Sequence, residues 1–248
     1  TLRFLGRRHN AADARTAMAR VRSEGLPVSA DLIFGFPGHQ QRDWVKTLQS
    51  MLALQPEHLS CYQLTLEPGT PMARDTASGI LAPLDQDDEA DLFHCTHDML
   101  SNAGYDHYEV SNYARSSDHI ARHNTKYWFR IPYLGLGPAA HSFDGSRRRS
   151  NIRDIDSYVN LLAHGSLPLE MTEEINPDDA VRETIFLGLR TRWGIPRHIL
   201  PDRIPTDERI LRMIRRGYLT DTGERIRPTA KGLAVADALA AELIAVLD

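Results

Sequence analysis

Hydrophobic residues in the first two thirds of the chain alternate between the spacing of helices and that of strands. Asn10 can cap a first helix, whose apolar positions recur every three or four residues until Gly25 ends it. Buried strands are predicted over Val28–Phe34, Leu59–Leu64 and Tyr105–Val110, where apolar residues follow one another between turn residues. Strands that alternate with helices indicate a parallel sheet with helical crossovers.

Two more amphipathic helices are predicted between these strands. Trp44 lies on the apolar side of the first, which Pro56 stops. Asp85 caps the second, and Gly104 ends it. A fourth strand is expected over residues 133–142, where closely spaced glycines interrupt the pattern.

The pattern changes after about residue 165, which suggests one domain over residues 1–165 and another over residues 166–248. The second domain contains three predicted helices and, between the last two, a short hairpin, an order typical of a small winged-helix-like fold. The helices are Pro177–Leu189, Thr206–Arg216 and Thr229–Leu247, and the hairpin strands are Tyr218–Thr220 and Arg225–Arg227.

Composition narrows the class of protein only slightly. With 248 residues, 42% of them hydrophobic and 25% charged, the chain has the make-up of an ordinary globular protein. Its net charge of −4 gives no general attraction to nucleic acid or to an anionic membrane. It has no apolar run long enough to span a bilayer and no secretory signal pattern at its start, so we expect it in the cytoplasm.

Residues 109–143 carry the densest chemistry of the chain. They include His119, His123 and His141 together with arginines, aromatic residues and two close glycines. Imidazole can ligate iron, aromatic faces can stack on a flat ligand, and guanidinium groups can pair with carboxylates, a mixture that suits a planar, anionic ligand such as a porphyrin. The alternative is a loop-rich region with histidines that are only surface groups.

A second candidate is the acidic residue Asp31 within the first predicted strand. Alternation places it on one face with Ser29 and Ile33. An ionised carboxylate inside a sheet is costly unless donors or a cation meet it. A bound polar ligand would supply those donors, whereas a structural ion pair with Arg7 or Arg8 would satisfy the carboxylate without any ligand.

Five strings in this order resemble HemW, the family of radical-SAM haem chaperones, over essentially the whole chain. The strings lie at residues 5–9, 31–38, 67–71, 108–114 and 122–128. The last of them is Arg-His-Asn-Thr-Lys-Tyr-Trp. Oxygen-independent coproporphyrinogen oxidases share parts of the same pattern.

The resemblance implies a fold and two resident cofactors. The expected fold class is α/β, namely the second half of an incomplete radical-SAM TIM-like (β/α) barrel followed by the winged-helix-like domain. In the family, a loop with three cysteines holds a [4Fe–4S] cluster, and the cluster binds S-adenosylmethionine. This sequence lacks that loop, because its only cysteines are Cys61 and Cys95. Both are expected to pack as small hydrophobic residues. The resemblance and the first residue, Thr1, favour a fragment of a longer protein. Because a half-barrel exposes an unpaired strand edge, we expect low stability in isolation.

The resemblance also assigns roles to residues, one by one. Asp31 matches the aspartate that contacts S-adenosylmethionine, and Arg8, expected at a strand end on the binding rim, would hold its methionyl carboxylate, with Arg7 as a competitor. The haem string implies contacts with His123, Asn124, Tyr127 and Trp128, and His123 would be the iron ligand. If this string is helical, His123 contacts Tyr127. His141 is a second candidate ligand, and the propionates could pair with Arg115, Arg122 or Lys126.

Three functions remain open. The first is a chaperone that carries haem as cargo and delivers it to haem-accepting proteins of the respiratory chain, with a homodimer left undecided. The second is an oxygen-independent coproporphyrinogen III oxidase, which uses S-adenosylmethionine for oxidative decarboxylation. The third is a winged-helix DNA-binding protein. Only a modest basic surplus over residues 203–231 supports it, so nucleic acid is not an expected partner.

Overall fold

A computed structural model describes residues 2–201 and 207–247 of the chain. Its contacts divide the chain into unit 1, residues 1–120, and unit 2, residues 121–248. The division predicted at residue 165 from sequence pattern stays a prediction. Arg203 and the predicted helix start at Thr206 lie outside the described residues.

Unit 1 alternates helices and strands, as the hydrophobic pattern predicts. Its elements are α1 (Ala11–Ser23), β1 (Ser29–Phe34), α2 (Gln41–Leu52), β2 (His58–Gln63), α3 (Pro71–Ala77), α4 (Gln86–Asn102), β3 (Asp106–Glu109) and β4 (Asn112–Ala114).

Local side-chain chemistry explains where these helices begin. The Asn10 side chain accepts hydrogen bonds from the second and third backbone N–H groups of α1, and the Asp13 carboxylate accepts one from the Asn10 N–H, which completes a capping box. Asp85 caps α4 by accepting a hydrogen bond from the Asp88 N–H at 2.7 Å. Both predicted caps are confirmed. The short helix α3, capped by Thr70, was not predicted.

The sheet of unit 1 has the strand order β1-β2-β4-β3. The predicted parallel pair β1–β2 is confirmed, but β4 runs antiparallel to both of its neighbours, so the expectation of a wholly parallel sheet is wrong. The cause is a tight turn at residues 110–111, which reverses the chain and inserts β4 between β2 and β3. The sheet stays open, as expected for part of a barrel, and β1 forms one edge of it within the described residues.

The core of unit 1 lies between the sheet and the helices α2 and α4. Trp44 of α2 donates a hydrogen bond from Nε1 to Thr96 Oγ1 of α4 at 2.7 Å, which joins the two helices within the core. Apolar side chains that are buried around this bond include Leu48, Leu59, Leu92, Leu100, Tyr108 and Tyr113.

Among the described residues, unit 2 contains two small sheets and six α-helices. These elements are α5 (Arg122–Trp128), β5 (His141–Phe143), β6 (Arg147–Asn151), α6 (Ile155–Ala163), β7 (Leu169–Glu174), α7 (Pro177–Gly188), β8 (Ile195–Pro196), α8 (Glu208–Arg215), β9 (Leu219–Asp221), β10 (Arg225–Pro228), α9 (Ala230–Leu233) and α10 (Ala236–Ile244).

The first sheet of unit 2 is antiparallel, in the order β5-β6-β7, and β7 is an edge strand whose six residues are all exposed. The single strand predicted over residues 133–142 is wrong. Tyr133 forms only an isolated bridge to Phe143, and regular pairing begins at His141, because Gly135, Gly137 and the following proline direct the intervening residues into a loop.

The winged-helix-like part of unit 2 is confirmed. Its sheet has the order β8-β10-β9, and the predicted hairpin is β9–β10. One apolar cluster fills its core, including Ile185, Leu189, Ile195, Ile210, Leu239 and Leu243. The helix predicted over residues 229–247 is two helices, α9 and α10. None of the described helices is both long enough and apolar enough to cross a membrane.

Candidate functional site

His123, the histidine of the string at residues 122–128, is exposed on α5. The predicted helical spacing is confirmed, because the string forms α5 and the His123 and Tyr127 side chains meet one turn apart. His123 Nε2 and the Tyr127 hydroxyl are 3.0 Å apart, and the two rings meet edge to face. Since the ring nitrogen can accept the hydroxyl proton, iron binding through Nε2 requires the Tyr127 hydroxyl to move away.

Three aromatic rings continue from this histidine towards β5. The Tyr127 ring centroid is 4.8 Å from that of Tyr133, which in turn is 6.2 Å from that of Phe143. We call Tyr127, Tyr133 and Phe143 the aromatic series. Phe143 is buried, whereas 39% of Tyr127 is exposed, so the series leads from the protein interior to a partly exposed ring beside His123.

The other two residues of the string are less exposed than His123 and Tyr127. Asn124 and Trp128 are half-buried, and the Arg190 guanidinium lies 5.8 Å from the centre of the Trp128 ring. The Trp128 Nε1 atom is buried and has no hydrogen-bond partner among the described residues. Trp128 therefore packs within unit 2, and of the two aromatic residues predicted to meet a macrocycle, Tyr127 offers the more accessible ring.

Two positively charged candidates accompany His123 on the helix. Arg122 and Lys126 are both exposed on α5, so either guanidinium or ammonium group is free to approach a carboxylate of a ligand there. The third candidate, Arg115, belongs to unit 1, where its guanidinium lies 5.2 Å from the centre of the Tyr105 ring.

A glycine loop precedes His141 and supports its backbone. A Cβ atom at Gly135 would lie 2.0 Å from the His141 carbonyl oxygen, so only glycine fits there. Gly137 has a φ of +104°. Its N–H donates to the Tyr158 hydroxyl at 3.1 Å, and its carbonyl accepts from Asn151 Nδ2 at 2.9 Å. Tyr158 and Asn151 thus position the loop, a role that sequence reasoning missed because both contacts join residues at least 14 positions apart.

A charged network stabilises the end of the sheet β5–β6–β7 that lies away from the glycine loop. The Glu183 carboxylate of α7 accepts from Arg130 Nε at 2.9 Å and from Arg148 Nη2 at 2.8 Å. Arg148 also donates to Glu173 on β7 at 3.1 Å. This network joins the segment after α5 to β6 and α7. It therefore holds α5 and β5, the two elements with predicted haem contacts, in fixed positions relative to each other.

In unit 1, the structure places the two predicted S-adenosylmethionine contacts at the surface. Asp31 is exposed on the edge strand β1, and among the described residues it makes no ion pair with Arg7 or Arg8. The predicted desolvation cost is therefore wrong, since water meets the carboxylate directly. Arg8 does not follow a strand, because no strand pairs with this segment among the described residues. Residues 2–6 instead form a turn, which the hydrogen bond from Arg7 N to Leu2 O closes at 2.9 Å.

Buried histidines in unit 1 form a polar network that the sequence pattern did not reveal. His58 joins Ser29 and the Tyr108 hydroxyl, both at 2.8 Å, and burial lowers the pKa of its ring. His107 Nδ1 is 2.9 Å from His97 Nδ1, and burial lowers the pKa of His107 to about 4. These rings stay neutral at pH 7 and serve as hydrogen-bond partners inside the unit.

The cysteines do not fit the cluster of the resembled family. Cys61 is buried in β2, and Cys95 of α4 contacts Met99. Burial raises the pKa of both thiols, whereas an iron–sulfur cluster needs thiolates. The described residues also contain no group of three or more histidine, cysteine or acidic side chains that could hold a metal ion.

The basic residues near the C-terminus are largely engaged by the chain itself. Arg209 and Arg215 form ion pairs with acidic residues at the start of α8. Arg225 donates to the carbonyl groups of residues 193 and 194, and Lys231 donates to that of residue 216. This arrangement leaves a weaker positive face than the sequence suggests, which counts against DNA binding.

Comparison with known proteins places this geometry in a family. Residues 175–235 match the HemN C-terminal domain family. The chain is 33% identical over 244 residues to heme chaperone HemW of Mycobacterium tuberculosis, covering 98% of this chain and 62% of that protein. The chain belongs to the HemW-like radical-SAM family. A further relative, mitochondrial radical S-adenosyl methionine domain-containing protein 1 of Mus musculus, is 33% identical over 265 residues and is covered to 59% of its length.

A solved structure supports the fold of this HemW-like chain. Coproporphyrinogen III oxidase (HemN) from Escherichia coli, a radical SAM enzyme, matches with a TM-score of 0.77 and 20% sequence identity, over 99% of this chain and 61% of that one. The expected α/β partial barrel is thereby confirmed. The chain spans about three fifths of the length of these relatives, and S-adenosylmethionine and a [4Fe–4S] cluster follow for the family as a whole.

Proposed function

We propose that this HemW-like chain is the part of a haem chaperone that binds haem as cargo and passes it to acceptor proteins. The observation that carries the proposal is the exposed pair of His123 and Tyr127 on α5, at the open end of the aromatic series. An accessible imidazole beside an accessible ring offers an iron ligand and a stacking surface together. The relatives described as heme chaperone HemW support the same assignment.

Each predicted contact takes a specific part in this proposal. His123 ligates the iron, Tyr127 lies against the macrocycle, and Arg122 or Lys126 pairs with a propionate. Asn124 and Trp128, which are half-buried on the same helix, are also proposed as haem contacts. In unit 1, Asp31 and Arg8 are proposed to contact S-adenosylmethionine, for which their exposed side chains leave access.

A haem titration followed by absorbance tests the proposal. We compare the wild-type chain with His123→Ala and with a matched control, His164→Ala, which removes another exposed histidine at the end of α6. The expected result is saturable one-to-one binding with a shifted Soret band, weakened by His123→Ala and unchanged by His164→Ala. Failure of the wild-type chain to bind haem contradicts the proposal. Equal binding by all three chains assigns His123 a structural role.

We also propose protein partners and a cellular location for this chain. Haem-accepting proteins of the respiratory chain are the proposed recipients, and the cytoplasm is the proposed compartment. A homodimer is tested by light scattering with and without haem, in which a doubling of mass would establish self-association.

Coproporphyrinogen III oxidase is the second candidate function. It is favoured by the match to the HemN C-terminal domain and by the structural similarity to HemN. The test supplies the chain with iron, sulfide, reductant, S-adenosylmethionine and coproporphyrinogen, and measures carbon dioxide release. We expect none from this chain, because its two cysteines cannot provide three thiolate ligands. Stoichiometric release would favour the oxidase instead.

A further inference from the structure

The sheet β5–β6–β7 carries a small cavity at its His141 end, which the proposed function does not use. The volume of the cavity is about 350 Å³, at the lower end of the range for ligand sites. The imidazole of His141, the thioether of Met171, the guanidinium of Arg153 and the carboxylate of Glu170 all belong to its lining. A lining that holds one positive and one negative group suits a small ligand that carries both charges.

The two charged groups of the lining are unpaired. Among the described residues, neither Arg153 nor Glu170 forms an ion pair or a side-chain hydrogen bond. The three arginines of β6, by contrast, all pair with acidic residues, namely Arg147 with Glu174, Arg148 with Glu173 and Arg149 with Asp144. Because Arg153 and Glu170 line one cavity without meeting each other, a gap separates the opposite charges.

A bulge in β7 directs Glu170 into the cavity. Ser150 pairs with Met171 and Asn151 pairs with Leu169, which leaves Glu170 without a partner on β6. Neighbouring side chains of a regular strand point to opposite faces of the sheet, yet Glu170 and Met171 both line the cavity. The extra residue of a bulge changes the direction of its side chain, and bulges are common beside functional sites.

A buried hydroxyl also belongs to the lining. Only 7% of Ser150 is exposed, and its hydroxyl has no hydrogen-bond partner among the described residues. Ser150 is opposite His141 on β5 and Met171 on β7, so the three side chains project from the same face of the sheet. Since buried polar groups are normally hydrogen-bonded, this hydroxyl indicates a polar ligand above it.

Another part of the wall is a strained residue of the glycine loop. Ala139 has a φ of +58°, in the left-handed region that costs energy for any residue except glycine. Its N–H donates to the Ile152 carbonyl at 2.9 Å, and the Asn151 N–H donates to the Ala140 carbonyl at 2.9 Å. Ala139 and Asn151 both line the cavity, so these bonds fix the shape of its wall.

We propose that this cavity binds a free α-amino acid. Arg153 pairs with the carboxylate of the amino acid, Glu170 pairs with its ammonium group, and the Ser150 hydroxyl donates to the carboxylate. The side chain of the amino acid lies against the Met171 thioether, a flexible apolar group that accommodates a small apolar or thioether side chain. His141 completes the wall beside Ser150. This site goes beyond the proposed haem function and does not depend on it.

The test is a calorimetric titration of the full chain with L-methionine and two analogues. In methionine amide a neutral amide replaces the carboxylate, and in the hydroxy-acid analogue a hydroxyl replaces the ammonium group. We expect saturable binding of one methionine per chain, with a shift of the Met171 methyl resonance on binding. Each analogue should bind about three- to fivefold more weakly than methionine, the scale of an exposed ion pair.

Two variants assign the charges. Arg153→Gln should weaken methionine binding about three- to fivefold but leave the affinity for the amide unchanged, which also shows that the variant is folded. Glu170→Gln should weaken methionine binding to the same degree and leave the affinity for the hydroxy acid unchanged. The control, Arg147→Gln, removes an arginine of the same sheet that pairs with Glu174 and should change none of these affinities.

Several results would overturn the inference. Methionine that does not bind saturably, or that binds without shifting the Met171 methyl resonance, shows that the cavity is not an amino-acid site. If Arg153→Gln weakens binding of methionine and of its amide equally, Arg153 does not hold the carboxylate. Equal weakening by Arg147→Gln shows a general attraction between charges. None of these results affects the haem titration, so the proposed function is tested separately.

Discussion

The buried His107 should make unit 1 sensitive to mild acid. Its ring stacks on Tyr113 at 4.1 Å, its Nε2 donates to the Val110 carbonyl at 3.1 Å, and its Nδ1 faces His97. Only 7% of the residue is exposed. The ring is neutral in the folded chain, because burial disfavours the charged imidazolium and the neighbouring His97 adds a smaller effect in the same direction.

The size of the effect follows from the pKa of His107, which burial lowers to about 4 from an ordinary value of 6.5. The unfolded chain therefore binds more protons than the folded chain between these two values, so stability is lost as the pH falls through this window. One pKa unit corresponds to about 1.4 kcal/mol. Lowering the pH from 7 to 5 should accordingly remove about 2 kcal/mol of unfolding free energy through His107 alone.

Urea unfolding followed by tryptophan fluorescence measures this loss in unit 1. The changes Trp128→Phe and Trp193→Phe leave Trp44, which is buried in unit 1, as the only tryptophan of the chain. In this background, chains with His107 and with His107→Gln are unfolded at pH 7 and pH 5. We expect the chain with His107 to lose about 2 kcal/mol more than the variant between the two pH values.

An equal loss of stability in both chains would refute the reasoning, because the variant cannot titrate at this position. Nuclear magnetic resonance of the imidazole nitrogens offers an independent check. A His107 ring that gains its proton near pH 6.5 in the folded chain would show that its burial carries no such cost.

Three further predictions concern unit 2. Tyr127→Phe removes the hydroxyl that competes with iron for His123 Nε2. Because that hydrogen bond is worth about 1 kcal/mol, haem affinity in the titration should rise about fivefold. An unchanged or weaker affinity would contradict this role of the hydroxyl. Gly135→Ala should displace the His141 backbone and lower the melting temperature, and an unchanged melting temperature would contradict this close contact. Glu183→Gln weakens both arginine contacts of the half-buried network and should lower the free energy of unfolding in urea by about 1–3 kcal/mol. A loss below about 0.5 kcal/mol, the scale of surface substitutions, would show that the network does not stabilise the fold.

Local patterns predicted the elements whose signals lie within a few residues. Asn10 and Asp85 mark helix starts because a cap bonds to backbone groups two or three positions away. The β9–β10 hairpin could be placed for the same reason, since its turn is short. The contact between His123 and Tyr127 followed from helical spacing alone.

Other features depend on residues that are distant in sequence. The three residues of β4 are buried because they pair with β2 more than 50 positions away, and so short a segment carries no pattern of its own. The contacts of Arg130 and Arg148 with Glu183 join three separate elements. Helix α6 was missed although Asp154 offered a recognisable cap, and β7 was missed although its first residues, with Leu169 and Met171, alternate between apolar and polar.

The roles of Arg8 and Asp31 could not be derived from pattern at all. Alternation correctly separated the faces of β1, but it could not reveal that the strand is an edge and that Asp31 meets water. The resemblance supplied the assignment to S-adenosylmethionine, and the assignment stays a prediction until binding is measured.

The exposed edge strand β7 also bears on how copies of this chain behave at high concentration. An edge presents unpaired backbone N–H and C=O groups that can extend into the sheet of another molecule and begin a fibre. Three of the six residues of β7 are glutamates, and Arg147 and Arg148 hold two of them in ion pairs beside that edge. If two such strands paired, their glutamates would come close together away from water, and repulsion between the like charges would oppose the pairing. The acidic residues of β7 therefore protect the chain from edge-to-edge aggregation.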